Sequence, residues 1–345
     1  MTETSIQTEP LAPPIRPAGK RVLSTIAYVM LAVAMLIITP LAVFLPAALL
    51  HCGIRNGRRA AWIVFVAASA IVLLLAIPAA QAPQTPAQLG NNSLSFYLGL
   101  MLAVGLPSVL ALPLVERGEG FGRVLVFGLL LSLGGLLATE VIMQLAARFS
   151  PYTAQLEAMR EVTAKVIEIY TKNGLPSDAI RFVRKWFNIG IFVMPAFLLI
   201  DVAIMFVLSL LLLGRLPAWR QFAERRALPV PAAYFFRNLV LPDWLLFAFV
   251  IGGISPLVSG MPRQIGACML TVVSFLYILQ GLAVFRAFVA AASGAFALFA
   301  WGTLFILTLT GGIAPVVLGI AGLFDSFFDF RHLNRKDHSD ESHSH

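Results

Sequence analysis

Residues 194–214 read MPAFLLIDVAIMFVLSLLLLG, the core of an apolar run that extends from about Ile189 to Leu213. Roughly 20 apolar residues suffice for a helix to cross the hydrocarbon layer of a bilayer, so this run is long enough to span. One carboxylate, Asp201, stands at its midpoint. It is either a polar contact between helices or part of a working site. Which of the two depends on what the rest of the chain is.

Composition answers the class question. The chain has 345 residues, 59% hydrophobic and 12% charged, with mean hydropathy +0.86. Soluble domains carry about a quarter charged residues, so a soluble globule would have no place for this much apolar surface. Inside lipid every backbone polar group needs an internal partner, which leaves helices or a closed barrel. Barrel strands are short and alternating, whereas these runs are long, continuous and rich in Leu, Ala, Val and Phe. The fold class is therefore all-α, a polytopic helical bundle.

Spans are predicted near 60–79, 94–115, 124–147, 188–213, 241–259 and 265–290. The stretch 22–50 exceeds one pass and is broken by Thr39-Pro40 and Pro46; it reads as one helix and a short second pass. The last stretch, 294–324, is also too long and is broken by Gly311-Gly312 and Pro315. The total comes to about eight to ten passes of ordinary length. Residues 1–20, Pro-rich and polar, read as a disordered leader, and 331–345 as a disordered tail rich in His and acids. Residues 21–330 form a single transmembrane domain.

The segment 148–187 is of another kind. In YTAQLEAMREVTAKVIEIYTKNG, Leu156, Met159, Val162, Val166 and Tyr170 recur at helical spacing with charges opposite. Asn173-Gly174 and Pro176 stop that helix, and a second begins near Ser177 with Ile180, Val183 and Trp186. This amphipathic hairpin lies outside the membrane core, either on its surface or capping the bundle.

Basic residues are distributed as orientation requires. The leader holds Arg16, Lys20 and Arg21; the first loop, HCGIRNGRR, holds Arg55, Arg58 and Arg59; the 214–240 loop holds Arg215, Arg220, Arg225, Arg226 and Arg237. QAPQTPAQLGNN is uncharged. A cytoplasmic N-terminus puts all three basic regions inside, provided 22–50 crosses twice. The hairpin, with Arg148, Arg160, Lys165, Lys172, Arg181, Arg184 and Lys185, then lies outside against the trend. The net charge of +8 thus reflects membrane topology; no aromatic–basic motif for nucleic acid accompanies it.

Several local patterns are familiar together: the hairpin ending YTKNG, LPDWLLFAF at 241–249, LYILQGLAVFRAF at 276–288 and GLFDSFFDFR at 322–331. They resemble the YybS-like family of bacterial multi-pass membrane proteins over roughly residues 20 to 332. The resemblance implies a helical fold and a bacterial inner-membrane location rather than an activity. The topology is similar to that of the substrate-binding components of energy-coupling-factor transporters and of MreD-type cell-shape proteins. The chain is longer than a typical six-helix transporter component, which argues against direct carry-over of a vitamin site.

No catalytic motif is present: no Walker A loop, HExxH or GxSxG, and His51 is the sole histidine before residue 332. The expectation is a non-enzyme without cofactor. Cys52 and Cys268 match no metal spacing and no disulfide framework, and the four tail histidines lack fixed spacing. Intramembrane polar groups are the sharper signal. An Asp at a helix centre costs about 2.5–3.5 kcal/mol on insertion scales, so Asp201 is expected to point into the bundle. Pro195, before it, is expected to break the helix, as at transporter sites. Glu140, with Gln144 a turn later, and Gln280 complete a candidate solute site between helices. The bland reading of all four is interhelical hydrogen bonding. Ala283, Ala287, Ala291 and Ala295 form a small-residue ladder.

Two functions follow. A transport-related solute binder without its own ATPase motif needs an energising ATPase module or works as a secondary transporter. A scaffold of the cell envelope needs only lipid and envelope proteins. Topology is testable at once: activity of a cytoplasmic reporter fused at Arg226 and of a periplasmic reporter fused at Gln84 is expected, and periplasmic activity at Arg226 would contradict it.

Overall fold

The computed structural model describes residues 18–81, 87–226, 234–291, 294–309, 312–328 and 331. The leader before residue 18, the middle of the uncharged loop and the His-rich tail lie outside the described residues. Helices succeed one another from α1 (Ala18–Ile37), α2 (Leu45–Asn56) and α3 (Arg58–Gln81) to α4 (Ala87–Leu100), α5 (Leu106–Glu116) and α6 (Phe121–Ala147). The hairpin is α7 (Pro151–Lys172) and α8 (Ser177–Phe192). After it come α9 (Met194–Arg215), α10 (Pro217–Arg225), α11 (Leu245–Gly253), α12 (Met261–Ala291), α13 (Gly294–Leu309) and α14 (Ile313–Phe328). Among the described residues there are no strands.

Prolines set the breaks. α1 stops at Ile37, Ile38 leaves helical backbone with ψ 89°, and a 3₁₀ turn, Thr39–Phe44, with Pro40 in its first turn where a missing N–H costs nothing, leads into α2. Pro107 has no N–H and would collide with the preceding turn of a regular helix. Instead Met101–Gly105 widens into a π turn, with Leu106 N–H bonding Met101 O, and the span continues through it into α5.

Five helical segments are long and apolar enough to cross a membrane: Arg58–Pro78, Asn92–Glu116, Phe121–Ala147, Met194–Arg215 and Met261–Ala290. The pair α13 and α14, bent by 118°, counts as a sixth if it forms one span. The break falls at the expected glycines, where Gly312 has φ +74. Two shorter apolar helices, Arg21–Ile37 and Leu245–Leu257, remain. The expected eight to ten passes are thus reached only at the lower bound, and only if both short helices cross. Hydropathy overcounts here because apolar stretches such as 241–259 are partly spent on turns.

The described helices have two distinct ends. α1 and α2 run antiparallel: Tyr28 Oη bonds His51 Nδ1 at 2.8 Å, and Asn56 Nδ2 donates to Ser24 Oγ at 3.0 Å. The chain thus doubles back, but α2, with 12 residues, is not among the segments long and apolar enough to cross, so length and composition do not supply the second pass expected in 22–50. At the end where Asn56 meets Ser24, Arg58 pairs with Glu116 at 2.5 Å, and Tyr234 Oη donates to Glu119 O. The 214–240 loop contains a helix that the sequence reading did not separate, α10, whose Trp219 is fully buried with its ring 4.9 Å from that of Tyr234. The hairpin occupies the other end, where Gln264 of α12 donates to Tyr152 Oη and Phe192 O. It caps little: α7 buries only Thr163, and α8 buries none of its residues.

The closest helix contact joins α12 and α14, which run antiparallel. A side chain at Gly281 would overlap the Leu318 carbonyl, and one at Gly322 would overlap that of Tyr277. With lipid as apolar as leucine, such backbone approach is a main source of helix association. Gly281→Ala should therefore destabilise the purified protein by about 1–3 kcal/mol, the usual cost of overpacking. Gly302→Ala on α13, where a new Cβ meets nothing within 4 Å, should leave the thermal midpoint unchanged.

Candidate functional site

Polar side chains converge at one buried place, and it is built around a backbone problem. Between α10 and α11 a short 3₁₀ turn, Phe236–Asn238, ends at Leu239 in extended backbone, and 239–242 lie outside any helix, so the carbonyls at the end of that turn and the Leu241 N–H need partners from elsewhere. Buried backbone groups must still be paired. Gln280 of α12, fully buried, accepts the Leu241 N–H on Oε1 at 3.1 Å. Its Nε2 donates to Asp325 Oδ2 at 3.0 Å and to Ser326 Oγ at 3.3 Å, both on α14. Arg331, just past α14, donates to the carbonyls of Arg237 at 2.5 Å and Leu239 at 3.0 Å, and pairs with Asp325 Oδ2 at 2.5 Å.

This is a buried ion pair: the Arg331 and Asp325 side chains are 3% and 2% exposed. Asp325 Oδ1 and Arg331 Nε are buried without a protein hydrogen bond among the described residues. The cluster ties three segments together, and Gln280 holds the middle of it by bonding Leu241 on one side and Asp325 and Ser326 on the other. Asp325 and Arg331 were not singled out from the sequence. They lie at and beyond the end of the last apolar run, where charges ordinarily meet water, and only the fold buries them.

Glu140 serves a different purpose. On α6 it accepts from Ser150 Oγ at 2.5 Å, from Tyr152 N at 3.0 Å and from Gln144 Nε2 at 3.0 Å. Ser150 is the N-cap of α7, accepting the Thr153 N–H. A carboxylate at a helix start meets unpaired N–H groups and the positive end of the helix dipole. Glu140 thus fixes the turn by which the hairpin leaves α6, a turn in which Arg148 takes a left-handed φ of 50°. Its pairing with Gln144 matches the spacing read from the sequence; a shared site with Asp201 does not follow.

Asp201 overturns the expectation that it faces the bundle. It is exposed on the outward side of α9, in line with Phe197, Ile204, Leu208 and Leu212, all exposed. No hydrogen bond or ion pair reaches it from the described residues. Helical period is the reason. The buried side of α9 carries Ala196, Ala203, Phe206, Leu210 and Leu213, and at 3.6 residues per turn position 201 falls opposite. The small residues Ala196 and Ala203 were the available signal for which face is inside. Pro195 also corrects its reading, for it sits in the first turn of α9, where a missing N–H costs nothing. The alanine ladder divides between two helices, Ala283 being buried on α12 and Ala295 exposed on α13.

Gln280, Glu140 with Gln144, and Asp201 therefore occupy three places instead of one. Among the described residues no three His, Cys, Asp or Glu side chains group as metal ligands, and Cys52 and Cys268 are free thiols.

The latch is testable by double substitution. Removing one partner of a buried pair leaves the other charge uncompensated, at about 3–5 kcal/mol. Asp325→Ala should lower thermal stability accordingly, and Asp325→Leu combined with Arg331→Met should recover only part of the loss, because the carbonyls of Arg237 and Leu239 then lose their donor.

Comparison with known proteins agrees with the membrane reading. A family model described as "Predicted membrane protein (DUF2232)" matches residues 22–326. No curated protein and no solved structure matches. The matched range runs from the first turns of α1 to the Asp325 latch on α14, and the chain belongs to the DUF2232 family of membrane proteins.

Proposed function

We propose that this chain is a non-enzymatic assembly protein of the bacterial inner membrane, of the YybS-like kind, which docks a partner's spanning helix on the outer face of α9. The observation that carries the proposal is the outward position of Asp201 in the midst of an exposed apolar stripe, Phe197, Ile204, Leu208 and Leu212. A carboxylate inside the span facing lipid is costly, up to about 2.5–3.5 kcal/mol at a helix centre on insertion scales, and intramembrane acids almost always face protein or water. A partner helix with a hydrogen-bond donor at the same depth relieves that cost and covers the stripe. A second copy of this chain is the poorer partner, because two facing Asp201 carboxylates would have to share a proton.

Binding of a small solute between helices, with an energising ATPase module, is the competing function. It needs Asp201, Glu140, Gln144 and Gln280 to converge, and they stand at three separate places. The scaffold reading needs no convergence.

Photo-crosslinking separates them. A photoreactive residue at Ile204 or Leu208 in intact membranes should give a discrete adduct with another membrane protein. Asp201→Asn, which can still hydrogen-bond, should retain the adduct, and Asp201→Leu should lose most of it. Crosslinks to lipid alone would remove the proposal, and an adduct of twice the chain's mass would make this face a self-association surface. Asp201-dependent uptake of a solute into vesicles would restore the transport reading.

A further inference from the structure

Independently of α9, the hairpin presents a cleft of about 510 Å³ between α8 and the start of α12. Its cations are Arg181, Arg184 and Lys185 on α8 and Arg263 on α12, and no carboxylate lines it. Arg181 is paired with Asp178. Arg184, Lys185 and Arg263 have no ion pair or hydrogen bond among the described residues. Three unpaired cations sharing one open cleft repel one another, and an anion among them removes that repulsion. The neighbouring cleft between α7 and α8 shares Arg184 but contains Glu168, so the favourable field for an anion belongs to the first.

The cleft is also amphiphilic. Ile189 and Phe192 form its apolar part, and both are exposed. Along the same helix Phe182 and Trp186 stand outward, edge to face at 6.0 Å, 61% and 57% exposed. Spacing 182, 186, 189 is one face of a helix. This face cannot be far from lipid, since only Val193 separates α8 from the spanning α9, and Arg263 stands in the first turn of the spanning α12. Aromatic side chains at that depth sit at the headgroup level. An apolar stripe with flanking Arg and Lys is the composition of a helix lying in the interface.

We infer that α8 lies in the membrane interface and that Arg184, Lys185 and Arg263 bind the headgroup phosphate of an anionic phospholipid, with its acyl chains running along Ile189 and Phe192. A free inorganic anion would use the cations and leave the apolar part wet. A phospholipid uses both, and it is present at this depth. The hairpin is thereby held flat at one end of the bundle, its turn from α6 set by Glu140 and its far helix seated on lipid.

The test is lipid titration of the purified full-length chain, followed by native mass spectrometry. Phosphatidylglycerol should bind in preference to phosphatidylcholine of the same acyl chains. At about fivefold per basic group near the surface, the triple variant Arg184→Gln, Lys185→Gln, Arg263→Gln should lose about a hundredfold. Lys165→Gln with Lys172→Gln is the control for general charge. These lysines pair with Glu161 and Glu168 on α7, and their loss should leave binding unchanged. Equal binding of the two lipids, or undiminished binding by the triple variant, overturns the inference. Displacement of the phospholipid by millimolar inorganic phosphate would also overturn it, in favour of a free-anion site.

Discussion

A polypeptide in a bilayer must satisfy its own peptide groups, and the greatest demand falls where the chain stops being helical between α10 and α11. Leu239 and Leu241 are buried there outside any helix. Gln280 takes one N–H, and Arg331 takes two carbonyls. The guanidinium can be buried because Asp325 neutralises it, and Asp325 is held in turn by Gln280. One irregular segment thus explains a glutamine in α12, an aspartate in α14 and an arginine beyond it. Replacing the pair by apolar groups is often neutral or better for a buried ion pair, but here Arg331 also carries the hydrogen bonds of the segment, so its presence has a structural reason.

The same logic runs through the bundle. Where lipid offers no hydrophobic incentive for helices to associate, contact depends on close backbone approach and on hydrogen bonds across helices. Gly281 and Gly322 provide the first between α12 and α14, and the Gln280 cluster provides the second at the same place. Serines and threonines inside helices mostly bond their own preceding turn, as Ser108 does to Val104 O and Ser132 to Gly128 O, and so add no specificity between helices. The polar groups that do join segments are few, and each has a distinct task.

Charged groups divide accordingly. Asp325 and Arg331 are spent on internal order, Glu140 on the exit of the hairpin, and Arg58 with Glu116 on tying α3 to α5 at the basic end. Asp201 and the cations Arg184, Lys185 and Arg263 have no such internal use. They lie on outward surfaces, one in the span and three at its boundary, which is why the functional proposals rest on them. An unpaired charge on a lipid-facing protein is informative because the solvent does not absorb its cost.

The sequence by itself determined the membrane class, the helical fold, the two distinct ends and the amphipathic hairpin. These depend on composition, run length, charge placement and the helical period, which are properties of single segments. The prolines and glycines likewise marked breaks that the structure keeps, at Pro40 and at Gly312. Only the tertiary structure decided which face of α9 looks inward, because that helix is apolar all round and its hydropathy names no inside. Only the fold, too, brought Gln280, Asp325 and Arg331 together across 39 residues from Leu241 to Gln280 and 45 more to Asp325. Partnership between distant polar groups depends on how helices are arranged about one another, and in lipid that arrangement is set by close backbone contacts that no single segment encodes.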